Sequence, residues 1–260
     1  GDVYKRQDVT IVAGNRGTAW HDQVRLVQFP FRAEKEWPDF GVRFRRLAER
    51  YSFARHSLQH LINENYDVVI VNKPFDFPIL WMAARRGMRA VTFFRSGGTD
   101  FYPGDRAFSG AIRVWASSSG YNARQIKARY GKNVEVIHNG VDLSKFSSDQ
   151  SRVAARARYN LDTDDVVLVS VGRLVGWKGT RVVVETLPSL PEHVKLVVAG
   201  TGPEEGNLKE LARRLNVDSR VKLVGQVARN DLPSLLSLSD IFVQPSIGEE
   251  AFGISVVEAM

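Results

Sequence analysis

The chain has no cysteine in 260 residues, so a disulfide framework, a thiolate metal site and a cysteine nucleophile are all excluded. This absence agrees with a reducing cytoplasm. Long apolar runs are missing as well: none approaches the roughly 18 residues expected of a membrane-spanning helix. Histidine is scarce, with five in the chain, and His21, His56, His60 and His193 carry no partner signal in the sequence. His138 reads as structural. No His, Asp or Glu cluster has the spacing of a metal-ligand set, and no metal is expected. The triplet Asp162-Thr163-Asp164 has the acid pair of a metal site, but it sits in a polar loop ahead of a strand and reads as ordinary loop chemistry.

What is present is a globular composition, with 43% hydrophobic residues and a net charge of +7. That charge is uneven. Residues 1–148 hold 23 Lys and Arg against 14 Asp and Glu, whereas residues 149–260 hold 13 against 15. A basic first half can mean a solvated surface, an anionic membrane face, an acidic acceptor or nucleic acid. Residues 40–62 read as a helix, with Phe44, Leu47, Tyr51, Leu58 and Ile62 at helical spacing and Arg43, Arg45, Arg46, Arg50 and Arg55 filling much of the rest. Two readings stand: a core helix with a solvated basic face, or a helix that meets anionic lipid.

Strand signals at 8–13, 24–29, 68–71, 90–94 and 134–137 alternate with helical stretches, and the alternation resumes after residue 165. This predicts parallel sheets with crossover helices. The seam falls at 138–146, where Asn139-Gly140 marks a turn directly after a strand. The domain boundaries expected are 8–147 and 148–260. Residues 1–7 fit no element and read as a cloning or sequencing scar.

Two loops carry chemistry. Val166 to Val171 reads as a buried strand followed by Gly172-Arg173-Leu174-Val175-Gly176-Trp177-Lys178-Gly179. Arg173 offers a planar fork to phosphate oxygens and Lys178 a point charge, while Gly172 and Gly179 leave room for close backbone approach. Trp177 either shields the site or caps the core. The second loop follows a strand at 241–244 and contains Glu250, Phe252-Gly253 and a helix from about Ile254 that carries Glu258. Loops at the carboxyl edge of a parallel sheet are where doubly wound folds bind ligands. Glu249 reads as a solvated neighbour.

Glu250, seven intervening residues and Glu258, with Phe252-Gly253 between and Ala259-Met260 after, resemble the donor-site motif of family 4 of the retaining GT-B glycosyltransferases. The Gly172-Arg173-Leu174 loop with Lys178-Gly179 is similar to that family's phosphate loop. The resemblance covers nearly all of residues 148–260. It implies a fold of two Rossmann-like domains facing each other across a cleft, both incomplete here, and transfer of a sugar from a nucleotide-diphosphate donor with retention.

On that resemblance Arg173 and Lys178 stabilise the departing diphosphate, Glu258 holds the ribose, and Glu250 with the Phe252-Gly253-Ile254 backbone positions the sugar. Gln226 and Val227 lie near the base. No cofactor is implied beyond the nucleotide sugar itself, and the acceptor would be a glycan or lipid-linked saccharide. The loop 95–100 faces the acceptor side, and Arg95 or Asp100 would stand where many members of the family have a His. The enzyme is expected in the cytoplasm or peripheral to the inner face of the membrane, and no nucleic acid is expected. A fragment truncated at both ends, itself inactive, is the expectation. A phosphorylase or sugar-nucleotide epimerase of the same fold, or a basic nucleic-acid-binding protein, are the rival readings.

Overall fold

The computed structural model describes residues 7–15, 24–98, 101–146 and 152–260. Asp100 and His21 lie outside the described residues. Packing divides the chain into two compact units, Gly1–His138 and Asn139–Met260, so the division falls at the head of the segment read as a linker.

In the first unit, β1 (Val9–Gly14) and β2 (Val24–Phe29) form a parallel pair. Then β3 (Val68–Val71), β4 (Val91–Ser96), β5 (Val114–Ser117) and β6 (Glu135–Val136) form a second parallel sheet in the order β3-β4-β5-β6. The sequence reading missed β5. Its run is only Val-Trp-Ala-Ser before two more serines and a glycine, too short and too small in side chain to read as a strand. In the fold, Trp115 and Ala116 are buried, because β5 lies inside the sheet between β4 and β6.

The helices of this unit are α1 (Val42–Asn63), α2 (Phe77–Arg85) and α3 (Gly120–Tyr130). Helix α3 is bounded as its sequence dictates. The Ser119 hydroxyl accepts from the Asn122 N–H at 3.1 Å, and Gly131 ends the helix at φ 68°, in the left-handed region that glycine tolerates. Aromatic rings fill the core, with Phe77 edge-on to Phe94 at 4.9 Å and Trp115 against Tyr130 at 4.9 Å.

Helix α1 departs from its expected packing. Of the stripe read from the sequence only Leu58 is buried, and Ile62 packs partly against the core. Phe44, Leu47 and Tyr51 are 42%, 38% and 59% exposed, as is Phe40 just ahead of the helix at 75%. The buried face is Ala54, Ser57, Leu58 and Leu61, so only the second half of the helix lies against the sheet.

The second unit carries β7 (Val166–Val171), β8 (Val194–Ala199), β9 (Val221–Gly225) and β10 (Ile241–Phe242), all parallel, in the order β10-β7-β8-β9. Its helices are α4 (Arg152–Arg158), α5 (Thr180–Thr186), α6 (Glu205–Arg214), α7 (Leu232–Ser237) and α8 (Ile254–Ala259). Strand order decides where a ligand can enter. The chain runs outward from β7 through β8 to β9, then returns to place β10 on the other side of β7. Helices therefore leave β7 and β10 toward opposite faces, and a crevice opens between their carboxyl ends.

Asp162-Thr163-Asp164 finds a structural explanation. The buried Arg156 donates from Nη1 to the carbonyls of Asp162 and Thr163, both at 3.0 Å, and from Nη2 to Asp240 at 2.6 Å. Asp240 also accepts the Val167 N–H at 2.7 Å. Burial pulls the Asp240 carboxyl upward, but the Val167 N–H and the charges of Arg152 and Arg156 outweigh it and hold it below its ordinary value. The loop backbone is thus fastened to α4 and to the first residues of β7.

Candidate functional site

The loop after β7 is fastened from behind by the loop after β8. Gly172 N–H donates to Ala199 O at 2.9 Å, Leu174 N–H to Thr201 O at 2.9 Å, and Glu204 N–H to Leu174 O at 3.0 Å. This contact is so close that it needs glycine. A Cβ on Gly200 would stand 1.8 Å from the Gly172 carbonyl oxygen. From the front, Ile247 and Gly248 both donate to the Trp177 carbonyl, at 2.9 and 3.1 Å. The loops after β7, β8 and β10 therefore form one hydrogen-bonded assembly at the mouth of the crevice.

Within it, Ser170, Gly172, Arg173, Lys178, Thr180 and Gln244 line a small polar cleft. Arg173 is exposed and makes no ion pair among the described residues. Lys178 donates to Glu250 Oε2 at 2.5 Å and lies 4.8 Å from the centre of the Trp177 ring, which is a cation–π distance. Trp177 is 38% exposed, so it stands beside the Lys178 ammonium and not in the core. Glu250 Oε2 also receives Gln244 Nε2 at 3.2 Å and Ser246 Oγ at 3.3 Å. Glu249 is exposed.

Glu258 lies apart from this group. It is 8% exposed, on α8, with Arg229 Nη2 3.6 Å from Oε1. Burial pushes its carboxyl up and Arg229 only partly opposes this. A buried carboxylate with one distant cation is an acceptor short of donors, which suits a ligand carrying hydroxyls. Gly253 precedes α8 at φ 74°, the left-handed region glycine permits. Phe252 and Ile254 flank it, half-buried. Gln226 is exposed just beyond β9, while Val227 packs into the core beside β7 and β8.

Arg95 belongs to the first unit, in β4, where it reaches toward the Ile137 carbonyl at 3.5 Å. Three histidines have partners the sequence did not signal: His138 Nδ1 lies 2.9 Å from Ser118 O, His60 Nε2 lies 2.9 Å from the Tyr66 hydroxyl, and His56 Nδ1 lies 2.9 Å from Ser52 O, one turn back in α1. Among the described residues no three His, Cys, Asp or Glu side chains gather as a metal site, and no helix is long and apolar enough to cross a membrane.

Sequence reasoning missed Gln244, Ser246, Ser255 and Arg229. A signal existed for Gln244, a polar residue at the end of an apolar strand and directly before Pro245. It was absorbed into the strand because the pattern 241–244 reads as extended throughout, whereas ladder pairing covers Ile241–Phe242.

Comparison with known proteins accords with this geometry. The profile described as Glycosyltransferase Family 4 matches residues 4–145, and that described as Glycosyl transferases group 1 matches residues 151–260. Over 132 residues, 49% of this chain and 34% of the relative, it is 33% identical to an uncharacterized glycosyltransferase of Methanocaldococcus jannaschii. It is 34% identical to D-inositol 3-phosphate glycosyltransferase of Mycobacterium tuberculosis over 53% of this chain and 30% of that protein. The aligned chain thus spans about a third of the length of these curated relatives.

Among solved structures it is similar to Anabaena HepE in complex with UDP and glucose, with TM-score 0.73 and 20% identity over 91% of this chain and 65% of that one. Sucrose-phosphate synthase of Thermosynechococcus elongatus gives TM-score 0.78 at 17% identity, over 98% of this chain and 69% of that one. WaaG, a glycosyltransferase involved in lipopolysaccharide biosynthesis, gives 0.75 at 18%, over 98% and 71%. The fold is that of GT-B proteins.

Proposed function

Because the chain belongs to glycosyltransferase family 4, we propose that the protein of which it is part transfers a hexose from a nucleotide-diphosphate sugar to a glycan or lipid-linked acceptor, with retention and without a metal. The observation that carries this reading is the pairing of Lys178 with Glu250, beside an unpaired Arg173, at the crevice between β7 and β10. The bond between the anomeric carbon and the diphosphate oxygen breaks with its electron pair on the diphosphate. The acceptor hydroxyl oxygen bonds to that carbon on the same face of the sugar, and its proton passes to the departing diphosphate.

Charge grows on the diphosphate as that bond opens, so fixed cations there favour the transition state over the bound donor. Arg173 supplies one, and Lys178, with three donors on its ammonium, can hold Glu250 and a phosphate oxygen together. Glu258 accepts from the ribose hydroxyls, and Glu250 from the sugar. HepE, solved with UDP, supports a nucleotide sugar as the ligand class.

Calorimetry with UDP, GDP and ADP tests the reading. One of them should bind without added metal, and Arg173→Ala should weaken it by about 1.5 to 3 kcal/mol, the range for a hydrogen bond to a charged group. In the same titrations Glu258→Gln should weaken the bare diphosphate more than Glu250→Gln does. Binding abolished by a chelator, or untouched by Arg173→Ala, would overturn it.

The exposed Phe40, Phe44, Leu47 and Tyr51 beside exposed Arg43 and Arg55 favour a second element of the proposal, peripheral contact of α1 with an anionic membrane face, on the cytoplasmic side. Apolar insertion plus basic charge is the combination such contact requires. Co-sedimentation should increase when neutral vesicles are replaced by phosphatidylserine vesicles. Phe44→Glu should reduce it to the neutral level, and equal sedimentation with both vesicle types would refute membrane contact.

A further inference from the structure

We propose that Gln244 is a positioning residue for Glu250: it aims one carboxylate oxygen at the bound sugar by holding the other. The inference rests on the family reading above and deepens it. Three donors, Lys178 Nζ, Gln244 Nε2 and Ser246 Oγ, converge on Glu250 Oε2 at 2.5, 3.2 and 3.3 Å. Glu250 Oε1 receives no hydrogen bond among the described residues, and the side chain is 30% exposed. One oxygen is thus satisfied by the protein while the other remains an acceptor with its lone pairs open.

A carboxylate can only accept hydrogen bonds, and hydroxyl donors are what a sugar presents to it. Free carboxylates rotate. Fastening Oε2 removes that freedom before the ligand arrives, and such preorganisation is what makes a positioning group effective.

Gln244 is itself fixed in orientation. Its Oε1 accepts from Ser255 Oγ at 3.1 Å, and its Nε2 also reaches Ser246 Oγ at 3.1 Å. The amide cannot be reversed without cost, since Glu250 Oε2 has no proton to give and requires the NH2 side. Through Gln244 the acidic loop is tied to the first turn of α8, the helix that carries Glu258. The two carboxylates expected to hold sugar and ribose are thereby set in one frame by a side chain that need touch neither ligand. A glutamine that merely closed the strand end would pack just as well as leucine.

The experiment compares each nucleoside diphosphate (UDP, GDP, ADP) with its glucose-bearing or mannose-bearing form, by calorimetry on the chain as it stands and on Gln244→Leu, Gln244→Glu and Ser255→Ala. In Gln244→Leu the nucleotide sugar should lose about tenfold more affinity than the matching diphosphate, the effect of one hydrogen bond to a charged group. Gln244→Glu can still accept from Ser255 but sets a like charge against Glu250, so its selective loss should be larger. Ser255→Ala, which frees the far end of Gln244, should show a smaller loss of the same kind and serves if either Gln244 variant fails to fold.

Equal weakening of sugar and diphosphate, or wild-type behaviour in Gln244→Leu, would overturn the positioning role while leaving the family reading intact. An unaltered chain that binds none of the diphosphates overturns that reading and this inference with it.

Discussion

Asp105→Ala should cost the first unit about 2 to 5 kcal/mol, because it leaves the buried Tyr130 hydroxyl and Tyr102 N–H without an acceptor, at about 1 to 3 kcal/mol each, and takes the partner from the part-exposed Arg129. Asp105 is fully buried. Its Oδ1 accepts from Arg129 Nε at 3.1 Å and Nη2 at 2.6 Å, and its Oδ2 from the Tyr130 hydroxyl at 2.7 Å and the Tyr102 N–H at 3.2 Å. Four donors from two segments meet on this one carboxylate, which joins the 3-10 turn Asp105–Ala111 to the end of α3. Burial and the hydrogen bond to Asp105 push the Tyr130 phenol above its ordinary value, and burial pushes that of Tyr102 up to about 12.

The measurement is urea unfolding followed by the fluorescence of Trp115, which packs against Tyr130. Tyr130→Phe should recover part of the loss when added to Asp105→Ala, because it removes one of the two buried donors left without an acceptor. A single variant that unfolds at the wild-type urea concentration would show that the carboxylate does not hold this unit together.

The second large effect is expected from one methyl group at the site. Gly200→Ala places its Cβ 1.8 Å from the Gly172 carbonyl oxygen, at φ 141°. Backbone strain of about 1 to 3 kcal/mol and overpacking of similar size both apply. The obstacle is main chain on both sides, so no side chain can swing away. The Gly172 loop must move, and Arg173 and Lys178 move with it. Nucleoside diphosphate binding should therefore fall below detection, and the second unit should lose roughly 2 to 6 kcal/mol by the two terms together. Gly206→Ala is the control. Its Cβ meets nothing within 4 Å, and in α6 an alanine should stabilise by up to about 1 kcal/mol. Diphosphate affinity retained in Gly200→Ala would mean that the packing of these loops does not govern the site.

Much of this protein was legible in its sequence, because local pattern and residue chemistry are local properties. The runs 24–29, 68–71 and 166–171 are strands with the bounds their apolar residues imply, and of the three 166–171 is the one buried nearly throughout, as a strand inside a parallel sheet must be. The loops after β7 and β10 could be read as binding loops because Gly, Arg and Lys after one strand and two spaced carboxylates after another have few purely structural uses in common.

Only the tertiary structure decided how those groups are engaged. Strand order brought the two loops to one crevice, and that order depends on pairings between residues far apart in the chain. Lys178 meets Glu250 across 72 positions of sequence, and no local pattern encodes that contact. Gln244 acquires its place from Glu250 and Ser255 at once, so it reads as a strand residue until both are in position. The apolar stripe of α1 shows the same limit from the other side: helical spacing fixed which residues share a face, but what covers that face is set by the neighbours the fold brings, and here only the half around Leu58 and Leu61 is covered.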